Sequence, residues 1–219
     1  MRKTSVLAAM ASAFLLMLLS CGDEPGRVDS LETLTVNVKV PGTLIDNVKP
    51  EELVEAKCLI VRGDINCVDL AHIRNFGYAP DEHGNAPVKE LLDMSGCNIV
   101  DGESEEFGIS EKDVLSGLGW IKCKDIRLPE SIRAIGYSAL SYVETRTVRI
   151  PDKVESIGIG AFAHSCVSEM DIPSTVKSMG RFVFWDCQQL RRISLPEMKE
   201  IPFGAFSGCA LEQVHIPEG

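Results

Sequence analysis

The sequence predicts an α/β solenoid, a stack of short parallel strands with irregular or short-helical returns, preceded by a small α+β cap. Two observations and one packing requirement predict it. A four-residue string ending in proline recurs at Ile126–Pro129, Val148–Pro151, Met170–Pro173, Ile193–Pro196 and Val214–Pro217, with the prolines 22, 22, 23 and 21 residues apart. A second string returns between them, at Ile135-Gly136 to Leu140, Ile157-Gly158 to Phe162, Met179-Gly180 to Phe184 and Ile201-Pro202 to Phe206. One such unit cannot bury its own apolar edge, so copies must stack. A β-sandwich is the competing architecture, but unrelated strands would not repeat whole 22-residue strings.

The elements follow in chain order. Arg2 and Lys3 precede an uncharged apolar run from Val6 to Leu19. That run is too short to span a bilayer comfortably and has the layout of a signal peptide, so residues 1–20 are expected to be cleaved. Leu18-Leu19-Ser20-Cys21 resembles a bacterial lipobox. The resemblance implies a lipid on the Cys21 thiol and membrane attachment through acyl chains without a transmembrane helix. Residues 21–30 read as an acidic tether. Asp23 and Glu24 resemble the export signal of some Bacteroidota-type surface lipoproteins. The alternative is a solvated tether whose Gly and Pro resist helix formation.

Residues 31–87 form the expected α+β cap. Leu34–Val40 alternates as a strand ended by Pro41-Gly42, and Pro50-Glu51-Glu52 opens a short helix. Cys58–Val61 reads as a second strand, Gly63 as a break and Val68–Asn75 as a second helix. Residues 88–219 are expected to be repeats of about 22 residues, with 101–110 an acidic insertion. In each strand the residues three and one before the proline point inward, from Ile126 and Leu128 to Val214 and Ile216. Proline ends each strand, and the glycine columns mark either positive φ or close backbone approach. The Ala-Phe pair then returns a ring to the core.

The pattern Ile-x-Leu-Pro-x-x-Val-x-x-Ile-Gly-x-x-Ala-Phe-x-x-Cys-x-x-Leu, kept almost throughout in residues 176–196, resembles the BspA-type leucine-rich repeat of bacterial surface proteins. The resemblance is clear over about 115–219, and Val88–Ile99 resembles a more ordinary leucine-rich repeat unit. It implies a leucine-rich-repeat-like stack acting as a non-catalytic protein-binding or adhesion module. Leu140 replaces the ring in one copy, and Met198-Lys199-Glu200 is one residue short. At Gly219 either the last strand is tolerated as an edge or the chain is part of a longer array.

Charge narrows the partners. The chain has 32 acidic and 22 basic residues, and removing residues 1–20 leaves a formal charge of −12. No basic stripe or polybasic cluster is present, so no nucleic-acid partner is expected. The outward strand positions form two columns, Arg127, Arg149, Asp171, Ser194, His215 and Asp125, Thr147, Glu169, Arg192, Gln213. They are either a ligand-binding face or a merely solvated one. The expected partner is a host or envelope protein, and the expected location the outer membrane, at the cell surface rather than the periplasmic face. A glycan-binding accessory lipoprotein of a polysaccharide uptake system is the alternative. It would require aromatic platforms, for which Trp120, Trp185 and three tyrosines are available.

No catalytic, metal or cofactor site is expected. With Cys21 lipidated, Cys58, Cys67, Cys97, Cys123, Cys166, Cys187 and Cys209 remain, with no Cys-x-x-Cys pair. Cys166, Cys187 and Cys209 read as a ladder of small buried hydrophobes, and Cys58 with Cys67 is the disulfide to test. His72, His83, His164 and His215 show no metal spacing, and Asp101, Glu103 and Glu105 lack the glycine of a calcium loop. Ser174-Thr-Val-Lys177 lacks the companion motifs of the penicillin-recognising enzymes it matches.

Overall fold

The computed structural model describes residues 33–77 and 87–216; residues 1–32, with Cys21, Asp23 and Glu24, and also His83 and Pro217, lie outside the described residues. The N-terminal part contains β1 (Thr33–Val38), α1 (Pro50–Glu55), β2 (Cys58–Ile65), α2 (Cys67–Gly77) and β3 (Lys89–Ile99). A hairpin of β4 (Gly102–Ser104) and β5 (Gly108–Ser110) occupies the acidic insertion. The repeats supply β6 (Val114–Leu115), β7 (Cys123–Arg127), β8 (Ala134–Ile135), β9 (Ser156–Ile157) and β10 (Glu169–Asp171). They end with β11 (Ser178–Met179), β12 (Arg192–Ser194) and β13 (Gln213–His215).

The cap is built as the first rungs of the same stack. β1, β2, β3 and β7 form one parallel sheet in that order, and Ile126 of β7 bridges Val148 of the next repeat. β10, β12 and β13 pair in parallel beyond it, and a hydrogen bond from the Ser168 N–H to the Arg146 carbonyl (2.8 Å) links the two groups. A second parallel ladder, β6-β8-β9-β11, runs beside the first with Leu115, Ile135, Ile157 and Met179 in register. One apolar cluster extends from Val36 to Ala205.

Each turn of the solenoid closes by the same bonds. The Val154 N–H reaches the Pro151 carbonyl at 3.0 Å, and Val176 reaches Pro173 at the same distance. Proline therefore opens a turn rather than only ending a strand. In the Ala-Phe segment, the N–H groups of Leu140, Phe162 and Phe184 donate to carbonyls of the following rung at Ala161, Val183 and Ala205, at 2.8–2.9 Å. Phe162 and Phe184 are fully buried and stack at 5.3 Å, and Phe206 continues the stack at 5.7 Å.

Two expectations need correction, and one open alternative is resolved. Gly63 is not a break: it sits inside β2 at φ +102°, where an added Cβ would come 2.2 Å from the Val38 carbonyl oxygen. Of the two readings of the glycine column, close approach holds. A Cβ on Gly158 would lie 2.6 Å from the Gly136 carbonyl carbon, and one on Gly180 2.4 Å from the Ile159 nitrogen. Positive φ falls two residues later, at Ser138, Gly160, Phe182 and Gly204. Finally, Val214 and Ile216 do not enter the core: they are 45% and 58% exposed, because no further rung covers them among the described residues.

Candidate functional site

The ten outward positions meet on one surface. Asp125 and Arg127 from β7, Thr147 and Arg149 beside the Val148 bridge, Glu169 and Asp171 from β10, Arg192 and Ser194 from β12, and Gln213 and His215 from β13 all line a single groove of about 1030 Å³. Period-two geometry puts them there, because their neighbours Ile126, Val148, Met170 and Ile193 are drawn into the core.

The charges on this face pair with one another across rungs. Arg149 Nη1 lies 2.6 Å from Glu130 Oε1, and Nη2 lies 3.1 Å from Asp152 Oδ2. Arg127 reaches Asp125 at 3.2 Å and Asp93 at 3.6 Å, and Arg192 pairs with Glu169. The three arginine side chains stay 55–61% exposed. Exposed pairs of this kind contribute about 0–1 kcal/mol to stability. The pairs leave the face net acidic, since Asp125, Glu130, Asp152, Glu169 and Asp171 stand beside only Arg127, Arg149 and Arg192, and they can be exchanged for a partner's charges at small cost. At the edge, the Asp93 carboxylate is buried, which by itself would raise its pKa. Hydrogen bonds from the Ser95 hydroxyl, Arg62 and the Ser95 N–H outweigh burial and hold it below the usual carboxylate range.

A second surface was missed by the sequence reading. The rings of Trp120 and Tyr142 stack at 3.9 Å with 5° between planes, and Tyr142 and His164 stack at 4.5 Å and 15°. His164 Nδ1 lies 3.1 Å from Asp186 Oδ2, and Trp185 meets the His164 ring edge-on at 4.7 Å. Trp120, Tyr142, His164, Asp186 and Gly208 are spaced by 22 residues, and all five have positive φ, from 56° to 81°. That constant spacing was the available signal. A left-handed backbone at a bulky residue costs about 1–3 kcal/mol. A ring pair contributes about 0.5–1.5 kcal/mol. Stacking thus offsets only part of the cost that glycine, present at the last of these positions, avoids.

Beside this stack is a slot of about 400 Å³, lined by Tyr137, Ile159, Tyr142 and His164. Ser138, Ser141, Gly160 and Ala163 also line it, with Phe182 and Trp185. No residue is shared with the strand-face groove.

The remaining candidates are structural. Cys187 Sγ donates to the Phe162 carbonyl and Cys209 Sγ to that of Phe184, each at 3.0 Å, forming a two-member ladder. Ser165 takes the preceding place, 3.3 Å from Cys187 Sγ, so Cys166 falls one residue outside the ladder. The hydrogen bond with Cys187, then burial, pushes the Cys209 thiol up. Cys58 and Cys67 lie at opposite ends of β2. At about 3.3 Å per residue they are more than about 20 Å apart, against a disulfide limit of about 7 Å. His72 packs edge-on against Phe107 at 5.5 Å. Asp101 accepts the Lys112 N–H at 2.8 Å, and Lys177 Nζ donates to the Ser174 carbonyl rather than its hydroxyl. Among the described residues no three His, Cys, Asp or Glu side chains are grouped to hold a metal.

Residues 119–219 match the BspA type leucine rich repeat region, in six copies. No curated protein matches the chain. Among solved structures, it is similar to a leucine-rich repeat protein from Bacteroides ovatus, at 27% identity, TM-score 0.44, over 57% of this chain and 30% of that one. It is also similar to a T. pallidum leucine rich repeat protein, at 15% identity, TM-score 0.41, over 86% of this chain and 74% of that one. The chain thus spans under a third of the length of the Bacteroides ovatus protein.

Proposed function

We propose that this chain, whose residues 119–219 are BspA-type leucine-rich repeats, is a lipid-anchored protein of the cell envelope that binds a protein partner through its strand face. The observation that carries this reading is the convergence of all ten outward strand positions on one groove. Leucine-rich repeats of this type are protein-interaction modules, commonly on cell surfaces. The face supports such a role because its charges are exposed, largely paired and exchangeable, which favours specific, electrostatically guided association. No Phe, Tyr or Trp lines the groove, so the partner is held by polar and charged contacts rather than a buried anchor. The same lack of rings weighs against a polysaccharide-uptake accessory working through this face.

The lipobox-like Leu18–Cys21 supports attachment by lipid, and the acidic Asp23-Glu24 supports placement on the outer surface. The role is adhesion to a host or envelope protein, without catalysis.

The test is protease shaving of intact cells, with a periplasmic protein as control, followed by capture of partners on the full chain and on an Arg149→Glu/Arg192→Glu variant. Loss of this protein while the control survives, and a partner retained by the native chain but lost by the variant, are the expected results. Survival until the outer membrane is permeabilised would contradict the surface placement, and a partner held equally by both chains would contradict the strand-face reading.

A further inference from the structure

We propose that the slot beside the Trp120–Tyr142–His164 stack is a carbohydrate site that takes one or two pyranose rings of a neutral glycan. It is separate from the strand face and independent of what that face binds. About 400 Å³ is within the range of small-molecule sites and large enough for a short sugar segment. Its lining combines rings with neutral polar groups. Tyr137 and Trp185 are 75% and 46% exposed, and Tyr142 and Phe182 add further ring edges. The small residues Ser138, Gly160, Ser141 and Ala163 leave the space between the walls open, and Phe182 occupies the corresponding position in the next rung, over Gly204.

Charge selects the ligand class. No Asp, Glu, Lys or Arg lines the slot. The nearby acid, Asp186, is outside the lining and contacts His164 Nδ1 at 3.1 Å and Gln188 Nε2 at 3.0 Å. A cation therefore finds no carboxylate in the lining and an anion no arginine. His164 Nδ1 faces Asp186, which leaves Nε2 to meet a ligand hydroxyl, and neither this atom nor Ser138 Oγ has a partner among the described residues. A pyranose offers a C–H face to an aromatic ring and hydroxyls to these polar atoms and to the tyrosine hydroxyls. An apolar or aromatic peptide side chain would satisfy the rings but leave the polar groups unmet.

The test is calorimetric titration of the full chain with neutral hexasaccharides of α-glucan, β-glucan, xylan and mannan. At least one is expected to bind, with affinity falling roughly ten-fold or more in Trp185→Ala and in Tyr137→Ala. Trp185→Tyr, which keeps a ring, should retain most of the binding, and Lys153→Ala, on the exposed surface elsewhere, should bind like the native chain. Circular dichroism establishes that each variant is folded. No binding to any of the four sugars overturns the proposal, as does sugar binding that survives both alanine substitutions. So does an aromatic peptide that binds the slot where no sugar does.

Discussion

At the residue scale, Asp69 shows how a single carboxylate ties the first rungs together. It is fully buried, and its oxygens accept N–H groups from Gly42 at 2.6 Å, Leu44 at 2.9 Å and Asn66 at 3.0 Å. The Asn66 side chain in turn accepts the Val68 N–H at 3.0 Å, so one end of Asp69 completes a reciprocal cap on α2. The other end fixes the turn after β1. Asp69→Ala would strand donors that water cannot reach, and we expect a loss of about 3 kcal/mol in urea unfolding. Asp64→Ala, at an exposed position, should change stability by less than about 0.5 kcal/mol. The cap half of this arrangement was not read from the sequence, which placed the helix start at Val68 rather than at Cys67. The reach to Gly42 and Leu44 was not legible either, because it joins residues 25 and 27 positions apart that only the parallel pairing of β1 with β2 brings close.

At the scale of the element, the repeat was legible because its requirements are strict. Inward strand positions accept only apolar side chains, the proline fits one turn position, and Gly158 and Gly180 lie where a Cβ would strike backbone of the neighbouring rung. Gly180→Ala should therefore push rungs apart and destabilise by about 2 kcal/mol or more. Gly117→Ala, at φ +77° but with nothing within 4 Å of the added carbon, should cost only about 1 kcal/mol, from backbone strain. Unfolding curves of the two variants separate steric contact from backbone conformation. The left-handed positions were not legible. They hold Trp120, Tyr142, His164, Asp186 and Gly208 in successive rungs, so no residue type marks them and only the spacing remains. Gly63 misled for a related reason. A glycine in a strand reads as an interruption, whereas here it lets the Val38 carbonyl approach.

At the scale of the whole molecule, stacking turns scattered residues into surfaces. Arg127, Arg149 and Arg192 are ordinary exposed side chains in the sequence; the parallel ladder lines them up, opposite charges beside them, in one groove. The two columns were legible because period-two alternation fixes the face of every strand residue. Their charge pairing was not, since Glu130 and Asp152 belong to turns whose direction the alternation does not set. The aromatic surface needed the fold, because the Trp120, Tyr142 and His164 rings share one place in successive repeats but are of different residue types, and they meet Trp185 only when the turns superpose. On the proposed function, a partner sits in the strand groove. Photo-crosslinking on intact cells tests this, with benzoylphenylalanine placed at Thr147 in the groove or at Lys153 outside it. A discrete adduct is expected from position 147 and none from 153. Adducts from 153 alone, or from neither position in the presence of host and envelope proteins, would contradict it.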